Sequence, residues 1–376
     1  MSNHNLILHL TTVHSPFDVR IFHKEAKTLV RAGLEVAIIA QHDENETVDG
    51  IRILALPKIE NRTHRILILT LRAFWMALRQ KADIYHLHDP ELLSVGMLLK
   101  LIKGKKVIYD VHEDYGKQML SKPYILKIIR KGVGFLVRGI EYFSSKLFDA
   151  IVAATDDILK NFYYHKLAVS VKNYPILSNF SIGRQTRKTE KKVFSLIYVG
   201  GLDEIRGITQ IVRALEPFDS DDQLKLTLCG RFSPTRYELE VRALEGFKRV
   251  EYLGWIDPHE IPTLLEMQDA GIVCLHPIMN YVTSLPLKLF EYMAAGLPVI
   301  ASNFPLWKEI VEGNGCGICV DPLNPEEIAK AIKYLMKHPG STEQMGKNGR
   351  RAVIEKYTWE KEGKKLLDLY AQLLDR

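Results

Sequence analysis

TSLPLKLFEYMAAGLPVIAS, residues 283–302, holds a helix start, a helix stop and a buried strand in one short span. Thr283 or Ser284 can cap a helix, and Pro286 suits its first turn, where a missing N–H costs nothing. Gly296 suits the end of that helix, and Pro298-Val-Ile-Ala-Ser302 reads as a buried strand. Lys288 and Glu291 are three apart and project from one face. A lysine near the positive end of a helix dipole is locally unfavourable unless an anion such as a diphosphate sits there. Glu291, one turn deeper, suits the vicinal hydroxyls of a ribose.

Outward from this span, strand-like and helix-like runs alternate. Leu6–Leu10, Val36–Ala40, Ile84–His88, Val107–Asp110 and Ile151–Ala154 form one series of strands. Ser195–Val199, Lys225–Cys229, Val250–Leu253, Gly271–Leu275 and Pro298–Ala301 form a second. Helical patterns such as Phe22–Ala32 and Gly207–Leu215 lie between them. Alternation of this kind implies parallel sheets covered by helices. A chain of 376 residues exceeds one ordinary core, so two doubly wound α/β domains are expected. The polar, unpatterned stretch 176–192 places the boundary between a domain of residues 1–180 and one of residues 181–356. Residues 357–376, with the helix Trp359–Leu374, are expected to cross back onto the first domain.

The opening span resembles the nucleotide-sugar site of family 4 glycosyltransferases, whose hallmark is Glu-x7-Glu inside a P-x-x-x-E-A-M-A-x-G-x-P-V-V-A run. Glu291 takes the second Glu position, and Met293, Ala294, Gly296, Pro298, Val299 and Ala301 follow as in that family. Thr283 stands where the family has its first Glu, in the sugar-contacting part of the motif. The resemblance implies a GT-B fold, two Rossmann-like domains facing across a cleft, and sugar transfer with retention of anomeric configuration. It also implies a nucleotide-sugar donor held by Thr283, Leu287, Lys288 and Glu291.

Other motifs extend this reading. Gly200-Gly201-Leu202-Asp203-Glu204-Ile205-Arg206-Gly207 follows a strand and opens a helix, so backbone N–H groups and a cation converge there. In the family a G-R-L-x-x-x-K-G run takes this place. Arg206 fills the position of its diphosphate-binding Lys with a group able to grip phosphate in bidentate fashion, while Gly201 replaces its Arg. Arg231, after the strand ending at Cys229, and Trp255, in Gly254-Trp255-Ile256, are further donor-binding candidates. Trp255 is expected to be partly buried.

In the first half, His86 and His88 share a face of one strand, and His112 with Glu113 and Asp114 follows the next. Ligands of doubly wound sheets bind at the carboxyl ends of strands. The resemblance places His112 against the donor sugar, and Lys288 and Arg206 on the leaving diphosphate, so these three form the catalytic set. Asp18 and Arg20, in the loop after the first strand, are candidates for contact with phosphate or acceptor.

No metal or cofactor is expected. Asp219-Ser-Asp221 resembles a metal-binding D-x-D but falls in a polar loop, and the sequence shows no Cys/His/carboxylate cluster. Cys316-Gly-Ile-Cys319 lacks a second pair at zinc spacing and a thioredoxin-like context. A dinucleotide oxidoreductase is disfavoured, since no strand is followed by G-x-G-x-x-G. A nucleotide-sugar epimerase of the same fold, or a non-catalytic sugar-nucleotide-binding subunit, is the alternative to a transferase.

Four cysteines, no basic leader and no apolar run of bilayer length fit a cytoplasmic protein. Residues 1–180 hold 25 Lys+Arg against 18 Asp+Glu, whereas the remainder holds 26 against 27. Basicity confined to one half suggests that it faces something anionic. Residues 121–148 carry an apolar stripe at 125, 129, 133, 136, 140, 143 and 147, with Lys127, Arg130, Lys131 and Arg138 roughly opposite. Such a segment suits the interface of an anionic membrane, so peripheral attachment to its inner face is expected. The expected acceptor is lipid-linked or saccharide, in surface polysaccharide synthesis, and no nucleic-acid partner is implied.

Overall fold

The computed structural model describes residues 5–59, 61, 64–121, 126, 128–180, 193–219 and 223–374. The chain divides into two compact units, Met1–Asn173 with Glu360–Arg376, and Tyr174–Trp359.

In the first unit the strands are β1 (Leu6–Leu10), β2 (Glu35–Gln41), β3 (Glu46–Val48), β4 (Ile51–Leu56), β5 (Ile84–Leu87), β6 (Lys106–Val111), β7 (Ala150–Ala153) and β8 (Ala168–Ser170). They lie in the order β3-β4-β2-β1-β5-β6-β7-β8, and every pair is parallel except β3 with β4. On one face Leu6, Leu8, Leu10, Tyr85, Leu87, Tyr109 and Val111 join a continuous apolar core. The other face of β1 and β5 carries His9 and His86, which are register partners on adjacent strands. The Trp359–Leu374 helix reaches this face, where the Tyr370 hydroxyl lies 2.7 Å from His86 Nδ1.

The second unit contains β9 (Phe194–Val199), β10 (Leu224–Cys229), β11 (Val250–Gly254), β12 (Ala270–Val273), β13 (Val299–Ser302) and β14 (Gly317–Val320). The order β11-β10-β9-β12-β13-β14 is parallel throughout. Two apolar clusters, one on each face, bury the sheet on both sides, as parallel sheets require. Each sheet reverses its strand order once, at β1/β5 and at β9/β12, and such switch points are where doubly wound sheets bind ligands.

The dividing point, Asn173/Tyr174, lies before the 176–192 stretch. Tyr174 sets it there, because its ring packs on Phe290 and Tyr357 at centroid distances of 4.7 and 5.3 Å. Residues 181–192 lie outside the described residues. Strands β3, β4, β8 and β14 are additional to those named from the sequence.

Candidate donor site and a buried histidine cluster

The helix of the 283–302 span runs Leu287–Ala294. It does not start at Thr283 or Ser284. Thr283 is exposed and closes the short Met279–Val282 helix, while Ser284 Oγ donates to Tyr281 O at 3.0 Å. Pro286, not a hydroxyl residue, takes the N-cap position and gives no side-chain cap. The free N–H groups of the first turn therefore keep their capacity for an external acceptor. The helix stops as expected: Gly296 adopts φ +73°, and Leu297 N reaches back to Tyr292 O at 2.9 Å.

Lys288 stands in that first turn. Its Nζ is buried, has no hydrogen-bond partner among the described residues, and lies 3.8 Å from the Tyr198 ring centroid. Burial, and then the neighbouring Arg206, hold its pKa well below the ordinary lysine value. Glu291 is near enough to act on Lys288 in the opposite sense.

The loop after β9 completes the group. Gly200, at φ +130°, takes a conformation that L side chains rarely adopt, and a Cβ there would lie 2.7 Å from Lys288 Nζ. At Gly201 a Cβ would lie 3.2 Å from Arg206 Cζ, so the guanidinium occupies the space of the absent side chain. This accounts for glycine where the family has arginine. Arg206 is held by Asp203, which caps the turn through Arg206 N at 2.9 Å and pairs with its Nε at 3.1 Å. Two cations thus stand together at the carboxyl end of β9.

Arg231 and Trp255 also meet. Gly230 N donates to Gly254 O, joining the ends of β10 and β11, and the Arg231 guanidinium lies 5.8 Å from the Trp255 ring. Trp255 is 57% exposed, not partly buried as expected, so its face is open to stacking. Leu287 is half-buried at the helix start.

In the first unit, His112 follows β6 directly. Its Nε2 lies 3.1 Å from Asp110 Oδ2 and 3.2 Å from His88 Nδ1. The expectation for Arg20 is corrected. It is buried, with Nη2 and Nε 2.9 and 3.0 Å from the two Asp110 oxygens and Nη1 donating to Val171 O at 2.7 Å. A buried carboxylate and a carbonyl already satisfy this guanidinium, so it is a structural ion pair and not a loop contact for phosphate. Asp18 caps the following helical turn, accepting from Arg20 N and Ile21 N, and approaches His14 at 3.6 Å. Burial raises its pKa, but the His14 hydrogen bond and charge outweigh this and hold it low.

The absence of a metal-type cluster in the sequence is also corrected by the fold. His9, Glu25, His86 and His88 are all buried, with candidate ligand atoms within 4.8 Å of one another. His88, Asp110 and His112 form a second such group, but its atoms are already bonded to each other. Burial, and then His88, lower the pKa of His9 and His86, and burial pushes His88 down to about 4 against the pull of Asp110. His9 and Glu25 do not stand out in the sequence. A histidine inside the apolar run Leu6–Leu10 is the only signal that points to them. Cys316 and Cys319 are free thiols, and Asp221 of the D-x-D lies outside the described residues.

Known proteins resemble the chain in sequence and in fold. Residues 181–352 match the model for glycosyl transferases group 1, and residues 19–165 match that for glycosyltransferase family 4. An MMP alpha-(1->4)-mannosyltransferase of Mycolicibacterium hassiacum is 22% identical over 317 residues, 82% of this chain and 75% of that protein. The sucrose-phosphate synthase of Thermosynechococcus elongatus superposes with a TM-score of 0.80 at 18% identity, covering 99% of each chain. Anabaena HepE, solved in complex with UDP and glucose, superposes with a TM-score of 0.71 at 15% identity, covering 98% of this chain and 100% of that one. The chain belongs to the family 4 glycosyltransferases and has the GT-B fold.

Proposed function

We propose that this glycosyltransferase moves a sugar from a nucleoside diphosphate sugar to a hydroxyl of a lipid-linked or saccharide acceptor, with retention at the anomeric carbon. The observation that carries the reading is the buried Lys288 amine, without a hydrogen-bond partner among the described residues, beside Arg206 at the carboxyl end of β9. Arg206 is paired with Asp203 on one side only, and with the adjacent Lys288 it suits the two charges of a diphosphate. The bond from C1 to the donor phosphate oxygen breaks, and C1 bonds to the acceptor oxygen. The acceptor proton passes to the departing phosphate, so no separate base is assigned. Lys288 and Arg206 stabilise the charge that develops on that phosphate, and electrostatic stabilisation of this kind is usually what contributes most to the rate of such a transfer.

Glu291 holds the ribose, Arg231 and Trp255 face the base, and Thr283 and Leu287 line the sugar side. His112 positions the donor sugar, a role that rests on the family resemblance. The cations at the phosphates take the place a divalent metal fills in other transferases, so transfer needs no added metal. Anabaena HepE with UDP supports a nucleotide donor in this fold. No helix among the described residues is long and apolar enough to cross a membrane. The exposed apolar surface of the Arg130–Ser145 helix supports peripheral membrane contact.

The test is a thermal-shift panel of UDP, GDP and ADP with their sugar conjugates, since a ligand that binds only the folded state raises its melting point. One nucleotide diphosphate series should shift the protein by several degrees. A flat panel would sink the reading. Release of an altered free sugar nucleotide without any acceptor would identify an epimerase instead.

A further inference from the structure

Buried polar atoms in native proteins almost always find partners. Among the described residues of the first unit six side-chain atoms do not, and four of these belong to one cluster. His9 Nε2, His86 Nε2 and both carboxylate oxygens of Glu25 are buried without a hydrogen bond. Three separate segments bring them together: β1, β5 and the wide helical turn Ile21–Ala26. The His9 and His86 rings lie 4.7 Å apart, centroid to centroid.

The outer atoms of the same side chains are all engaged. His9 Nδ1 lies 2.8 Å from His88 Nε2, and His86 Nδ1 lies 2.7 Å from the Tyr370 hydroxyl. This is the arrangement around metal-binding imidazoles, where one nitrogen donates to a second residue and the other keeps its lone pair for the ion. Arg20 does not supply all of the missing contact. Its Nε forms an ion pair with Glu25 Oε1 at 3.0 Å while Asp110 holds the guanidinium at two points, and Glu25 Oε2 keeps no hydrogen-bond partner among the described residues.

We propose that His9 Nε2, His86 Nε2 and the Glu25 carboxylate form a binding site for one divalent transition metal of the Zn²⁺ type. Two imidazoles and one carboxylate are a known zinc donor set and leave a fourth position for water. The ligand types favour Zn²⁺ over Mg²⁺ or Ca²⁺, which prefer oxygen alone. Coordination at His9 Nε2 keeps the proton on its Nδ1, which then donates to His88 Nε2. His88 Nδ1 and His112 Nε2 then both donate to Asp110 Oδ2, at 3.4 and 3.1 Å. Asp110, which only accepts, sets the His112 tautomer with Nδ1 left as an acceptor for a sugar hydroxyl, and the bound ion fixes the tautomer of His88 beside it. The metal is a positioning element of the first unit and takes no part in phosphate binding by Lys288 and Arg206.

The full chain, stripped with chelator, is titrated with Zn²⁺ and, in parallel, with Co²⁺, read by calorimetry and visible absorption. One ion per chain should bind, with cobalt giving the intense bands of a low-coordinate N/O site. Glu25→Gln, which preserves volume, should weaken affinity by at least about 100-fold. Tyr370→Phe, which removes only the partner of His86, should weaken it by about 10-fold, within the range for outer-shell changes. A single cooperative thermal melt of each variant, with wild-type circular dichroism, reports that the first unit is folded. No stoichiometric Zn²⁺ on the wild type would overturn the site. Equal affinity in the wild type and Glu25→Gln would also overturn it, assigning the ion to surface histidines.

Discussion

Lys288 Nζ sits 3.8 Å from the centre of the Tyr198 ring, and that ring is its neighbour in place of a hydrogen-bond acceptor. A cation over an aromatic face is attracted by the ring quadrupole, by about 2 kcal/mol when desolvated. That does not replace lost hydration, so the fold bears a cost that an incoming anion relieves. Lys288→Met should reduce diphosphate affinity by about ten- to a hundred-fold, since charged hydrogen bonds contribute roughly 1.5–3 kcal/mol each. The same change should raise the melting point of the ligand-free protein. The lysine pKa is depressed in the fold, so the unfolded chain binds more protons between that pKa and the ordinary 10.5. Wild-type stability therefore rises with pH across this window, and the Met variant should lack the rise. Unchanged nucleotide affinity in calorimetry would remove Lys288 from the donor site.

Arg206 and Gly201 form a unit, because the guanidinium fills the space that a Cβ at 201 would enter. Arg206→Ala should reduce transfer by about ten- to a hundred-fold, the loss of a charge-assisted phosphate contact. Gly201→Ala should have a smaller effect of the same kind, since a contact of 3.2 Å obliges the guanidinium to shift by a few tenths of an ångström. Transfer assays with saturating acceptor separate the two. Full activity in Arg206→Ala would show that the guanidinium is only the partner of Asp203.

Glu291 faces the same group from one turn deeper in the helix. Glu291→Gln should weaken nucleoside diphosphate binding by about 10-fold, through loss of charged hydrogen bonds to the ribose. The wild type should bind 2′,3′-dideoxy nucleotides more weakly than ribonucleotides. Equal binding of both would exclude the ribose role.

The grouping of the residues proposed for the donor side is legible in the sequence because they stand close along the chain. Lys288 and Glu291 share one helical turn, and Arg206 follows Gly200 and Gly201 within a single loop. The helix start is not legible, because Thr283 and Ser284 look like caps while the chain spends them on the preceding turn. Arg20 looks like a loop cation because its partner Asp110 lies on another strand. The histidine cluster is illegible for the same reason. Only the adjacency of β1 and β5 makes His9 a neighbour of His86, and only the C-terminal helix supplies Tyr370. No periodicity in the sequence records such contacts.

Glu141 is buried on the inner side of the Arg130–Ser145 helix and accepts from the Tyr109 hydroxyl at 2.9 Å. Burial raises its pKa to about 7. The folded protein thus holds this proton between the ordinary carboxylate range and about pH 7, where the unfolded chain has released it. Stability from this group is present at low pH and falls as pH rises through that window. Glu141→Gln keeps an acceptor for Tyr109 and should stabilise the protein at pH 8 by about 3 kcal/mol, at about 1.4 kcal/mol per pKa unit. Near pH 4.5 the difference should vanish. Denaturant melts at the two pH values check this, and a gain independent of pH would assign the effect to packing.

That helix has an inverted polarity. Its buried residues are Gly134, Glu141, Ser144 and Ser145, whereas Phe135 and Phe143 are 81% and 70% exposed, with Leu136, Ile140 and Leu147 beside them. Of the apolar stripe expected from sequence, positions 129, 136, 140, 143 and 147 are exposed and face outward, while Val133 is half-buried and 125 lies outside the described residues. Large exposed apolar patches mark interaction surfaces. The preceding residues 122–125 and 127, with Lys127, lie outside the described residues. Lys131 is exposed beside the patch, while Arg138 is partly engaged with Asp114 at 3.3 Å. An apolar face in the more basic half of the chain fits the interface of an anionic bilayer, where each basic residue near the surface contributes about 1 kcal/mol. The protein should sediment with vesicles rich in anionic lipid at low salt and less with neutral ones. High salt should release only part of it, since screening acts on the charges and leaves the apolar contact. Phe135→Ser with Phe143→Ser should abolish sedimentation without weakening nucleotide binding, which is proposed for the other unit. If the wild type ignores anionic vesicles, the exposed face meets something other than a membrane, and a soluble saccharide becomes the acceptor to test.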